Sequence, residues 1–218
     1  MRSHGGILSC CALALLAPSI DAQVSRPTGS TRVVRSWDFE PEGGILVPVP
    51  EHWFRGHSTE ANPREGFPPW NEPVLEEGAG LDGSWAVRIP TEGGSASLAL
   101  ARGVIPVFAD ADYAVTSKVK TAGLDAAGAV IAARLIDGEL EPIEGTEVRS
   151  APLRTDGAWE TVNLRLPGHP EAESIQLELM LLQPTELERK ALSKHEAIEQ
   201  DLNGAAWIDD LVIYQTPQ

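Results

Sequence analysis

Apolar and polar residues alternate along most of this chain. In residues 112–121, Tyr113, Val115, Ser117 and Val119 fall on one side, and Thr116, Lys118 and Lys120 on the other. That two-residue period belongs to a half-buried strand. Residues 129–137 alternate too, setting Ile131, Ala133 and Leu135 against Val130, Ala132, Arg134 and Ile136. The stretch 159–166 turns Val162, Leu164 and Leu166 inward, and 174–182 turns in Ile175, Leu177, Leu179 and Leu181 while exposing Gln176 and Glu178. Further strands are expected at 32–40, 51–56 and 205–214. Another two, 84–90 and 95–101, read as a hairpin around Glu92-Gly93-Gly94. Pro63, Pro68, Pro69 and Pro73 make the stretch before Trp85 a long loop. Short strands separated by glycine and proline turns, without alternating helices, predict an all-β fold: an antiparallel two-sheet jelly-roll β-sandwich.

One segment breaks the pattern. Thr185-Glu186-Leu187-Glu188 forms a capping box, in which the hydroxyl and the carboxylate each meet a backbone N–H at a helix start. Leu187, Ala191, Ile198 and Leu202 follow as an apolar stripe, and Asn203-Gly204 is a stop signal. An inserted α-helix is therefore expected over residues 185–202, between the last two strands.

The chain's beginning reads as a signal peptide over residues 1–22, with Arg2 as the positive region, Ile7 to Ala17 as the apolar run and Ile20-Asp21-Ala22 before the cleavage point. A polar leader containing Pro27 and Gly29 covers 23–31 and is expected to be disordered, which leaves 32–216 as one domain. Secretion, extracellular or periplasmic, follows from that signal. Both cysteines, Cys10 and Cys11, lie inside it, so the mature domain would stand on burial without a disulfide. A formal charge of -15 opposes nucleic-acid binding, which needs clustered Lys and Arg to neutralise phosphates. No segment approaches the roughly 20 apolar residues of a membrane span.

Catalytic signatures are thin. Gly78-Ala79-Gly80-Leu81-Asp82-Gly83 matches G-x-G-x-x-G, but the residues after it alternate as a strand, where a dinucleotide site requires a helix N-terminus. Gly93-Gly94-Ser95-Ala96-Ser97 lacks the last glycine of a nucleophile elbow. His52, His57, His169 and His195 show no paired metal-ligand spacing. Carboxylates are so abundant that no pair stands out as a glycosidase acid and base, and the E-x-D-x-x-E strand pattern of one jelly-roll glycosidase family is absent. The chain is expected not to be an enzyme.

Five places carry a resemblance. They are Trp37-Asp38-Phe39-Glu40, the downstream Trp53, Tyr113-Ala114-Val115-Thr116-Ser117-Lys118-Val119, Gly157-Ala158-Trp159-Glu160-Thr161-Val162, and Ala206-Trp207-Ile208-Asp209-Asp210-Leu211. In their order the chain resembles carbohydrate-binding modules of the galactose-binding-like jelly-roll type, the cellulose- and xylan-binding, CenC-like family. The resemblance implies that the first and last strands lie side by side. It also implies that Glu40 and Asp209, with Asp210 as fallback, help hold a structural Ca²⁺ through hard carboxylate oxygens.

What it implies for ligand binding is a polysaccharide or glycoconjugate, with aromatic rings stacking on sugar and polar side chains taking the hydroxyls. Lys118 stands where many members carry a tryptophan, so the rings would come from the loop, as Trp53 and Trp70, with Phe54 beside them. Lys118, Arg134 and Glu178 would supply the polar contacts. Trp37, Trp85, Trp159 and Trp207 are read as core or edge-packing residues. The alternative is a structural or protein-interaction domain without a sugar site, touching a protein partner through the inserted helix.

Overall fold

The computed structural model describes residues 31–41, 47–184 and 201–216. Twelve strands follow one another: β1 (Arg32–Trp37), β2 (Trp53–Arg55), β3 (Val74–Glu76), β4 (Ala86–Pro90), β5 (Ala96–Leu100), β6 (Ile105–Pro106), β7 (Tyr113–Ala122), β8 (Gly128–Ile136), β9 (Val148–Arg149), β10 (Glu160–Leu166), β11 (Ser174–Leu182) and β12 (Ala205–Gln215). They form two six-stranded antiparallel sheets. The first runs β10-β7-β12-β4-β3 with β1 also on β12, and the second runs β2-β5-β11-β8-β9 with β6 also on β11.

The expected alternation sets the inner faces. Val115, Val119, Val162, Leu164, Ile208 and Ile213 of the first sheet meet Ile131, Leu135, Ile175, Leu177 and Leu179 of the second in one core. At about 1.5–3 kcal/mol for each fully buried aliphatic side chain, this interior supplies the main stabilisation. A smaller cluster, Phe67 with Val130, Ala132, Met180 and Leu182, forms on the outer side of the second sheet.

The ends of the domain do lie side by side: β1 pairs with β12 from Arg32↔Gln215 to Trp37↔Leu211. Strand β12 shares its other edge with β7, and next to β1 it also pairs with β4 through Ala205–Ile208. Between Asp209 and Val212 its register with β7 slips, and Asp210 takes a positive φ of 46° there. The extra residue is a β-bulge, which bends the strand where β4 hands over to β1.

Two expectations are corrected. Strands β4 and β5 do not form a hairpin; β4 pairs with β12 and β3, while β5 pairs with β11 and β2. The Glu92-Gly93-Gly94 turn therefore carries the chain from one sheet to the other. The second concerns the inserted α-helix. Among the described residues the two-sheet sandwich has no α-helical element, only a 3-10 turn at Leu81–Gly83 and a single helical position at Pro184. Residues 185–200 of the expected helix lie outside the described residues, and its last two, Asp201 and Leu202, are turn. With Asp201 at φ 60° the backbone there is left-handed, so a right-handed helix cannot continue through it. The protein contact expected on that helix has no structural support. The signal peptide and residues 23–30 of the leader also fall outside the described residues.

A candidate sugar pocket beneath Trp70

The loop between β2 and β3 folds back over the outer face of the second sheet, and Arg64 fastens it there. The Arg64 guanidinium donates to Glu178 Oε1 at 2.6 Å, to Ser97 Oγ at 2.9 Å and to the Gly56 carbonyl at 3.1 Å. Its plane also lies 3.5 Å from the Phe67 ring centroid, close enough for a cation–π contact. A Cβ at Gly56 would sit 2.1 Å from Ser97 Oγ and 2.8 Å from Arg64 Nη1, so a larger residue there would displace the clamp.

Main-chain bonds continue the attachment. Ser95 N–H donates to Gly66 O at 2.7 Å, and Ser58 N–H to Phe67 O at 2.8 Å. Buried Asn71 donates through Nδ2 to Gly94 O at 2.8 Å. Gly94 packs so tightly that a Cβ would meet Pro68 Cδ at 2.4 Å, and this contact brings the turn against the loop.

Between loop, turn and the end of β11 lies a cavity of about 250 Å³, lined by Ser58, Arg64, Phe67, Trp70 and Gln183 among others. Trp70 is 61% exposed, yet its ring is held by donation from Nε1 to the Glu92 carbonyl at 2.9 Å. Gln183 sits 1% exposed on the wall, and its side-chain nitrogen and oxygen both lack a hydrogen-bond partner. Sequence reasoning missed Gln183, Arg64 and Phe67. The proline-rich loop was the available signal, since a long loop inside a compact domain is commonly functional.

The other expected contact residues scatter. Trp53 is 5% exposed and packs edge-on against Trp37 at 5.6 Å and Phe39 at 6.3 Å, so it is a core residue without an open ring face for sugar. Glu178 and Arg134 share the outer face of the second sheet, around a shallow depression with Glu147 and Gln176. Glu178 is committed to Arg64, while Arg134 donates to Gln176 Oε1 at 2.9 Å and lies 3.5 Å from Glu147. Lys118 stands on the other sheet, on β7, where its Nζ donates to Thr161 Oγ1 at 2.8 Å. Three of the expected residues, Trp70, Glu178 and Arg134, are thus on the loop-covered side, and Lys118 is not. Trp159 and Trp207 flank Lys120, whose Nζ lies 4.6 Å and 5.0 Å from their ring centroids.

Glu40 and Asp209 converge on one loop, residues 78–85. Asp209 Oδ2 accepts from Leu81 N–H at 2.8 Å and Ser84 Oγ at 3.3 Å, and Oδ1 accepts from Asp210 N–H at 2.7 Å. Glu40 Oε1 accepts from Trp85 N–H at 3.1 Å. Burial pushes the Asp209 carboxyl above the usual carboxylate range; the Leu81 and Asp210 amides and the Ser84 hydroxyl oppose this, and the Asp210 charge adds to it. A buried carboxylate of this kind suits a hard cation, but Ca²⁺ takes six to eight oxygens. Among the described residues no group of three or more His, Cys, Asp or Glu assembles. In this geometry the two carboxylates pin the loop.

No protein-family model matches the chain, and no curated protein matches it. Solved structures do. The CBM22-1 xylan-binding domain from Paenibacillus barcinonensis Xyn10C is 14% identical with a TM-score of 0.52, covering 88% of this chain and 99% of that one. The CBM22-1 and GH10 modules of Clostridium thermocellum xylanase 10B, complexed with xylohexaose, are 12% identical with a TM-score of 0.51 over 84% of this chain and 28% of that one. At such identities the likeness is one of architecture: this chain has the two-sheet antiparallel β-sandwich fold seen in those carbohydrate-binding modules.

Proposed function

We propose that the protein is a non-catalytic glycan-binding module that receives a sugar ring against Trp70. The observation that carries this reading is the fixed, exposed indole at the mouth of a pocket. A large ring left in water costs hydrophobic free energy, and its tie to Glu92 removes the freedom that a merely exposed side chain keeps. Stacking on the apolar face of a pyranose uses both features.

The sandwich architecture supports the reading at the level of fold. Glu178 would act by holding Arg64 in place, and Arg134 would extend the polar surface beyond the pocket. Lys118 and Trp53 take no part. Secretion through the expected signal over residues 1–22 belongs to the same proposal, as does a structural Ca²⁺ on Glu40 and Asp209, whose carboxylates bond the same loop at Trp85 and at Leu81.

Affinity electrophoresis of the full chain against soluble neutral and acidic polysaccharides tests the function. Retardation that Trp70→Ala abolishes is expected. No retardation on any gel, or a Trp70→Ala variant that migrates like the wild type, rejects the reading.

A further inference from the structure

We infer that Gln183 is the residue that selects the sugar, by pairing its carboxamide with two neighbouring hydroxyls of an uncharged ring. The inference rests on the glycan-binding reading and names the ligand class.

Gln183 directly follows β11, and its backbone N–H is already used, donating to Ser95 Oγ at 3.0 Å. Its side chain is the one among the described residues with two buried polar atoms that are both unpaired. Buried amides are nearly always satisfied, so a doubly orphaned one on a cavity wall marks a place where a ligand or water completes the bonding. A carboxamide presents N–H and C=O side by side. Two adjacent sugar hydroxyls, one donating and one accepting, meet that pair in a single plane.

Size and charge narrow the choice. The pocket of about 250 Å³ opens to solvent beside Trp70 and has room for a sugar ring. Among the described residues lining it Arg64 is the one that is charged, and Glu178 at 2.6 Å matches that charge. A uronic acid would therefore find no free cation among the described lining residues and would approach a chain of net charge -15. Stacking from Trp70 and hydrogen bonding from Gln183 together favour a neutral pyranose with vicinal hydroxyls.

Gln183→Met in the full chain removes both polar atoms while keeping an unbranched side chain of similar length. Its melting temperature should equal or exceed that of the wild type, because two unsatisfied groups are gone. Affinity for soluble xylan, galactan or glucan, whichever the wild type binds, should fall about tenfold or more. Should the methionine variant fold poorly, Gln183→Ala, with room for water in place of the amide, carries the same comparison. Wild-type affinity in the Gln183 variant beside impaired Trp70→Ala overturns this inference and leaves the stacking reading standing. A wild type that prefers polygalacturonate overturns the neutral-sugar assignment, and one that binds none of these polymers overturns both readings.

Discussion

Replacing Arg64 with methionine tests whether the loop over the second sheet is held mainly by one guanidinium. The variant loses donors to Glu178, Ser97 and the Gly56 carbonyl while keeping apolar contact with Phe67. Exposed ion pairs are worth about 0–1 kcal/mol, whereas stranding one partner of a buried pair costs about 3–5 kcal/mol. Here the side chains are 31% and 14% exposed for Arg64 and Glu178, which places the loss between those limits, at about 2 kcal/mol. For a domain of this size that lowers Tm by roughly 4–8 °C. Urea denaturation of Arg64→Met, Glu178→Gln and the double variant closes a cycle. A coupling of about 1–2 kcal/mol is expected, because the double variant leaves no stranded carboxylate. A coupling near zero, or an Arg64→Met midpoint equal to wild type, refutes the clamp.

Other consequences can be measured with the same melts. Trp53→Ala should cost about 3–5 kcal/mol, since it empties a site between Trp37 and Phe39; a loss below 1 kcal/mol contradicts its core assignment. Burial pushes the Asp201 carboxyl up, but the amides of Ala127, Asp125 and Ala126, with Arg154 nearby, outweigh it and hold the group below its usual range. Its contribution is thus complete above the unfolded value near 3.9 and is lost as pH falls through the lower folded value. The Tm gap between wild type and Asp201→Asn should close in that acid window, and a gap independent of pH disproves the anchoring role. Asp209 has the opposite sign: its raised folded value makes its contribution grow as pH falls from that value toward 3.9. Millimolar Ca²⁺ at pH 7 should raise the Tm of wild type and not of Asp209→Asn, whereas equal melting in Ca²⁺ and EDTA removes the proposed ion.

How legible the chain was depends on length and on distance. Strands β7 and β10 repeat their period several times, and burial follows it along them, whereas β11 is covered on both faces, with Gln176, expected to be exposed, at 5% beneath the loop-side packing. The edges β3, β6 and β9 span two or three residues, too few to show any period. Periodicity also tells which side of a strand faces water but not which sheet the strand joins. Lys118 and Arg134 therefore read as one polar surface although they sit on different sheets. The Gly93-Gly94 turn signal was sound, and the hairpin inferred from it failed because pairing is decided by β12 and β11, far along the chain. Trp53 looked like a loop aromatic, and it took Trp37 and Phe39 to enclose it. Nothing local in the sequence marks Gln183, whose significance lies in partners it does not have.

The placement of β12 has a consequence for biosynthesis. The strand that joins β7 on one edge to β4 and β1 on the other is the last of the twelve described strands to be made. Until it leaves the ribosome, the first sheet has no middle, and the N-terminal strand has nothing to pair with. Folding of the first sheet must therefore await synthesis through β12, and a premature stop before residue 205 would leave three strand edges open to aggregation.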